Sequence, residues 1–210
     1  MSITYAITAC DEILELDRLL AILQANINVE DQIYVQCDTN KFSTNMNNIL
    51  VKHDVVYSCK KFNGNFSEYK NQIYQHCNGE WIFFIDADEY PSIVLLESIH
   101  SILDAAVDVD VIAIPRINTV EGIDNEHMSK WGWKETQLII GGREVDVINF
   151  PDYQWRIQRN KDSIRWINKV HEVLNGFSAF ARLPMDPDYC LFHPKDIEKQ
   201  ERQNQLYSNL

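Results

Sequence analysis

Three acids stand around one alanine at Asp86-Ala87-Asp88-Glu89, directly after the apolar run Trp81-Ile82-Phe83-Phe84-Ile85. A run so rich in β-branched and aromatic residues predicts a buried strand, which leaves the acids at its C-terminal end. Side chains alternate along an extended chain, so Asp86 and Asp88 are expected on one side, where their oxygens can share a hard divalent cation. An acidic turn after a strand is also a common solvated cap. The pair gains meaning only from the elements that would hold it in place.

Those elements alternate along the first half. Ile3 to Ala9 reads as a strand, and Asp11 can cap a helix carrying Leu16, Leu19, Leu20, Leu23 and Ile27 at helical spacing. Ile33–Cys37 is a second strand ending at Asp38, Ser43 caps a short helix through Met46, Ile49 and Leu50, and Val55-Val56-Tyr57 is a third strand. Phe66–Cys77 reads as a helix with Tyr69, Ile73 and Cys77 on one face; Trp81–Asp86 is the fourth strand. Ser92 caps a helix with Leu95, Ile99, Ile102, Leu103 and Ala106, and Val111–Ile114 is a further strand. Strand–helix alternation predicts an α/β fold with an open, mostly parallel sheet flanked by helices and ligands beyond the carboxyl ends of its strands.

The second half has another texture. Asn118–Ile148 mixes glycines, charges and aromatics around Trp131-Gly132-Trp133 and predicts loops and short antiparallel strands. Gln154–Gln158 alternates like an edge strand, Lys195–Tyr207 reads as a polar helix, and a soft boundary falls near Pro115.

Composition narrows the function. With 210 residues the chain can build one substantial core, and a net charge of −12 argues against a nucleic-acid partner, which would require a basic face. The 5 cysteines are odd in number and scattered, which fits a reducing cytoplasm rather than a disulfide framework or zinc site. No basic leader and no apolar stretch of about 20 residues is present, so a soluble protein without a transmembrane segment is expected, peripheral to a membrane where an acceptor lies there.

With this alternation in place, the chain resembles the inverting glycosyltransferases of the family-2, GT-A type. The resemblance rests on Ala9-Cys10-Asp11-Glu12, Gln36-Cys37-Asp38, Tyr69-Lys70-Asn71 and Asp86-Ala87-Asp88-Glu89. Two later segments, Phe150–Arg156 and Trp166–Glu172, are similar to a branch containing bacterial surface-polysaccharide and lipopolysaccharide-core transferases. It implies one Rossmann-like GT-A domain over 1–210, with a nucleotide-sugar-binding half at 1–115 and a smaller acceptor-side lobe at 116–210. It also implies transfer of a sugar from a nucleoside-diphosphate sugar, a UDP-sugar before others, to a glycan, lipid-linked glycan or protein hydroxyl.

By the same resemblance, Asp88 would ligate Mn2+ or Mg2+, with Asp86 assisting through water or holding the ribose, and His193 would complete the metal or phosphate site. The donor would be held by Asp11, Glu12, Asp38, Lys70, Asn71 and the stretch around Ala87. Lys70 stands where the family has arginine and cannot fork onto phosphate oxygens. The general base would be Glu172, then Asp152, with His171 orienting the acceptor. Trp131, Trp133 and Trp155 read equally as a stacking wall for a sugar or as core. Two other functions fit the same residues. A sugar-phosphate nucleotidyltransferase would open with a glycine-rich loop, and Thr8–Glu12 holds no glycine. An inactive nucleotide-sugar-binding module would bind without turnover.

Overall fold

The computed structural model describes residues 1–208. Strand β1 (Ile3–Ala9) leads into helix α1 (Ile13–Asn26), whose Leu16, Leu19, Leu20 and Leu23 recur at helical spacing and are fully buried. Each such side chain contributes roughly 1.5–3 kcal/mol on burial. The helix is entered from Glu12, not Asp11: no side chain caps it, and the Glu12 carboxylate instead accepts from the Cys10 N–H at 2.7 Å. Strand β2 (Gln32–Asp38), helix α2 (Thr44–Lys52) and strand β3 (Val56–Lys60) follow, with the Ser43 hydroxyl capping α2 through the Met46 N–H.

Helix α3 (Phe66–Asn71) is shorter than the expected Phe66–Cys77; a separate 3-10 turn follows over Tyr74–His76. The apolar face is kept, since Tyr69, Ile73 and Cys77 are all buried. Next come β4 (Trp81–Asp86), the two-residue β5 (Tyr90–Pro91) and α4 (Ile93–Ala105), capped by Ser92 as expected. Alternation along β4 feeds two cores: Trp81, Phe83 and Ile85 pack with the leucines of α1 and α4, while Ile82 and Phe84 pack with Ile73, Tyr74 and Trp166.

The second half comprises β6 (Val111–Glu121), α5 (Asn125–Trp131), β7 (Glu135–Ile140), β8 (Arg143–Arg159), β9 (Arg165–Ile167), β10 (Val173–Asn175), β11 (Phe180–Arg182), β12 (Leu191–Asp196) and α6 (Ile197–Ser208). The main sheet runs β3-β2-β1-β4-β8-β6-β12-β5, with β7 beside β8 and β11 beside β6. Parallel pairing joins β3, β2, β1 and β4 and also β6 with β12, whereas β8 runs antiparallel to both its neighbours. Strand β6 passes through Pro115 without a break, and Lys195 and Asp196 end β12 rather than start the tail helix.

Gln154–Gln158 is not an edge strand. It lies inside β8, between β4 and β6, and both of its faces are covered: Ile157 and Gln158 are 0% exposed and Arg156 is 3% exposed. The polar members of the alternation are buried with partners, which is why the pattern read as half-solvated.

Candidate active site

A cavity of about 1270 Å³ opens beyond the carboxyl ends of β1, β2 and β4 and continues across β6, β8 and β12. Its size exceeds that of most single small-molecule pockets, leaving room for two ligands side by side.

One wall is made by strand ends and α3. Asp38, at the end of β2, is 6% exposed and accepts on Oδ1 from the N–H groups of Asn40 and Phe62, both at 3.0 Å. Phe62 packs against Phe66 and Tyr69, giving this corner aromatic lining beside a carboxylate. Asp86, at the end of β4, accepts from the Thr8 hydroxyl at 2.9 Å and from Arg156 Nη2 at 2.6 Å, with Lys70 Nζ at 3.5 Å. Burial alone would raise the Asp86 carboxyl; Arg156 and Lys70 outweigh it and hold the group well below its ordinary value. Lys70 lies over the Trp166 ring and donates to Glu172 Oε1 at 2.7 Å, so one buried ammonium joins Asp86 to Glu172.

Asp88 turns elsewhere. The chain leaves β4 in a turn closed by the Glu89 N–H on the Asp86 carbonyl, so strand alternation no longer governs its direction. None of the partners described for Asp86 contacts Asp88. Asp88 Oδ2 faces His193 Nε2 and Lys199 Nζ, each at 3.3 Å. Burial would raise this carboxyl, but His193, Lys199 and Lys195 hold it below the usual range.

Asp88 and His193 place a carboxylate oxygen and an imidazole nitrogen side by side at the cavity. The Asn118 amide donates to the Asp152 carboxylate, which turns its Oδ1 toward His193 Nδ1 at 2.8 Å and assigns the imidazole proton to Nδ1. Burial pulls the His193 pKa down. Asp88 opposes this by favouring a proton on Nε2, and its carboxylate is further offset by a positive charge beside it. Lys199 supplies one here. Among the described residues no group of three or more His, Cys, Asp and Glu side chains converges as a metal site. A divalent ion held by Asp88 and His193 would thus take its remaining ligands from water or from oxygens of a bound anion, the habit of Mg2+ in particular.

The opposite wall is built from β6 and β8. Asp152 stands in register with Arg116, whose Nε and Nη2 donate to Asp152 Oδ2 at 2.9 and 2.6 Å. Asn118 adds a bond to the same oxygen and Gln154 one to Oδ1. Burial would raise the Asp152 carboxyl, and Arg116 with Asn118 lowers it on balance. Arg116 Nη1 donates to Glu89 Oε1 at 2.8 Å, and Arg156 Nη2 donates to the same oxygen at 2.6 Å. Glu89 is 0% exposed and accepts the Asp86 N–H on its other oxygen. Five alternating charges thus link the two walls: Asp86, Arg156, Glu89, Arg116, Asp152.

The cavity brings together Asp11, Glu12, Asp38, Lys70, Asp86, Ala87, Asp88, Asp152, His171, Glu172 and His193. Asp11 is at the exposed rim, 3.8 Å from Lys41, and burial raises the Glu12 carboxyl, with Asp88 nearby adding to it. Asn71 is not among the lining residues. Its side chain bonds the backbone of Trp166, accepting the N–H at 3.0 Å and donating to the carbonyl at 2.9 Å, so it clamps the β9–β10 hairpin to α3. The tryptophans divide: Trp131 and Trp133 pack at a tilt at the end of α5 and of these two only Trp133 reaches the cavity, while Trp155 packs with Phe177 and Phe180 and also lines the cavity. Cys10 lines the cavity as an inert thiol, pushed up to about 12 by burial and then by Glu12, Asp11 and Asp38. Arg116, Asn118, Arg156 and Lys199 had no role assigned from sequence. One of them, Arg156, carried a signal, because Asp152, Gln154 and Arg156 are spaced i, i+2, i+4 and a strand places them on one face.

No protein-family model matches the chain, and no curated protein matches it in sequence. Solved structures do match in fold. S. aureus TarS 1-349 in complex with UDP-GlcNAc aligns at TM-score 0.61 and 14% identity over 93% of this chain and 59% of that one. The same fragment in complex with UDP aligns at TM-score 0.59 and 15% identity, over 98% and 64%. The chain thus spans about three fifths of that fragment, and 23% of TarS in the longer structure. At these identities the likeness is one of architecture: an α/β fold with a mostly parallel mixed sheet, as in GT-A glycosyltransferase structures.

Proposed function

We propose that this protein transfers a sugar from a nucleoside-diphosphate sugar to an acceptor hydroxyl with inversion. The observation that carries the reading is the placement of acids on two walls of one large cavity at the carboxyl end of the sheet, with Asp88 and His193 side by side in the same cavity. Asp38 and the Phe62–Tyr69 corner suit a nucleobase, Asp86 a ribose hydroxyl, and Lys70 a phosphate oxygen. UDP is the nucleotide to try first, since TarS binds UDP and UDP-GlcNAc. A divalent ion on Asp88 and His193 would supply charge neutralisation for a leaving diphosphate.

An inverting displacement needs a base on the face of the sugar away from the leaving group. Glu172 is one lysine away from Asp86 and so shares the donor wall. Asp152 lies across the cavity, ionised at neutral pH and oriented by Arg116, Asn118 and Gln154. This favours Asp152 as base, reversing the order taken from sequence, and leaves Glu172 to hold Lys70 on the phosphates.

Calorimetry with UDP and UDP-sugars, with and without Mn2+ or Mg2+, tests the reading together with slow hydrolysis of the sugar nucleotide to water. Metal-dependent binding and turnover, both lost in Asp88→Asn with the fold intact by circular dichroism, are the expected results. Binding without turnover would mark an inactive module. No binding to any nucleoside diphosphate would end the proposal.

A further inference from the structure

We propose that Glu89 and Arg116 are positioning residues, which set the distance and orientation between the acid of the donor wall, Asp86, and the acid of the acceptor wall, Asp152. The inference rests on the transferase reading for its kinetic consequences only.

Glu89 is fully buried and its Oε1 is the meeting point of two guanidinium groups, Arg156 at 2.6 Å and Arg116 at 2.8 Å. Its Oε2 accepts the backbone N–H of Asp86, so the same side chain also pins the end of β4. Arg116 then uses its other edge, Nε and Nη2, on Asp152. A planar fork that engages two acids on two edges transmits orientation in a way an ammonium cannot. As a means of holding β6 and β8 together the ladder is a poor choice, because buried ion pairs recover little beyond their desolvation cost and apolar residues of similar volume often do as well. Arg156 illustrates this: one nitrogen serves both acids while its buried Nε has no hydrogen-bond partner. What the ladder does provide, and packing would not, is a fixed direction for two carboxylates across a cavity that must admit two substrates. Errors of about 1 Å in such placement cost on the order of 10²-fold in rate.

Arg116→Lys keeps the charge and removes the fork, and it separates this role from simple stability. The expected result is kcat lowered roughly 10- to 100-fold with the donor KM and UDP affinity within twofold of native. The Asp152 carboxyl, followed by carbon-13 NMR in aspartate-labelled protein, should titrate about one unit higher as its bidentate partner is lost. Glu89→Gln should instead weaken UDP binding and turnover together, since it frees Asp86 as well. A structural role alone would lower Tm while leaving kcat per folded molecule and the Asp152 titration native, and that result overturns the inference. So does an Arg116→Lys variant that loses donor affinity as much as Glu89→Gln does. If the wild type neither binds nor turns over a sugar nucleotide, the transferase reading fails, and the Asp152 titration still decides the ladder.

Discussion

On the donor wall Asp38 and Asp86 end parallel strands, and backbone N–H groups or residues of the adjoining strand meet them there. On the acceptor wall Asp152 belongs to an antiparallel strand, and side chains alone orient it, chiefly Arg116 and Asn118 of the neighbouring strand. Placement at strand ends comes with an α/β sheet, and Asp86 also draws on the charged Arg156 and Lys70. Asp152 relies on neighbouring side chains entirely, and its orientation is correspondingly easier to break by a single substitution.

The comparison is broken most sharply at Asp152. Asp152→Asn should lower transfer roughly 10²–10⁴-fold, as expected for loss of a general base, with UDP affinity nearly unchanged. Glu172→Gln should do the opposite, weakening UDP binding through Lys70 with a smaller effect on kcat at saturating donor. If Glu172→Gln loses the rate and Asp152→Asn does not, the walls have been given the wrong roles.

A smaller effect is expected where the donor wall leans on the second half of the chain. Asn71→Ala removes both bonds to Trp166 and leaves the backbone groups it served without partners, so stability should fall by about 1–3 kcal/mol. Chemical denaturation reads the loss, and hydrogen exchange should localise it to β9 and β10. Unchanged protection at Trp166 would mean that the hairpin is held by packing instead.

The smallest effect is one of pH and lies outside the cavity. Asp110 accepts from Lys161 and from the N–H groups of Ser178 and Ala179, which bring its carboxyl down to about 2. A folded value below the unfolded one, near 3.9, makes the contribution full above that pH and drains it as pH falls through about 2. Asp110→Asn should therefore flatten the acid limb of the stability curve below about pH 4 and leave its neutral region parallel to native. An acid limb identical to the wild type would remove Asp110 from that role.

Legibility in the sequence follows the same division between walls. Strands β1, β2 and β4 with α1, α2 and α4 could be read from apolar periodicity, because each buries its pattern in one core. The acids at strand ends were visible for the same reason. The role of Asn71 was not, since the backbone it clamps lies 95 residues on. Nor was the place of β8, whose Arg156 and Gln158 look solvated until Glu89, Asp86 and Tyr74 are known to meet them. Local patterns report local burial; a polar residue satisfied by a distant partner reads as surface until the fold is closed.

The length and position of β8 bear on the order in which the protein folds. Its 17 residues pair with β4, β6 and β7, and the rung joining Trp81 to Arg159 closes a loop of more than 70 residues. Contacts of such separation form late, after nearby strands and helices have paid their own loop-closure entropy. The parallel unit of β1 to β4 can collapse by short crossovers before β8 is inserted. Asp38 and Asp86 should therefore come together with the parallel unit on refolding, and Asp152 join them only when β8 slots between its neighbours and meets Arg116.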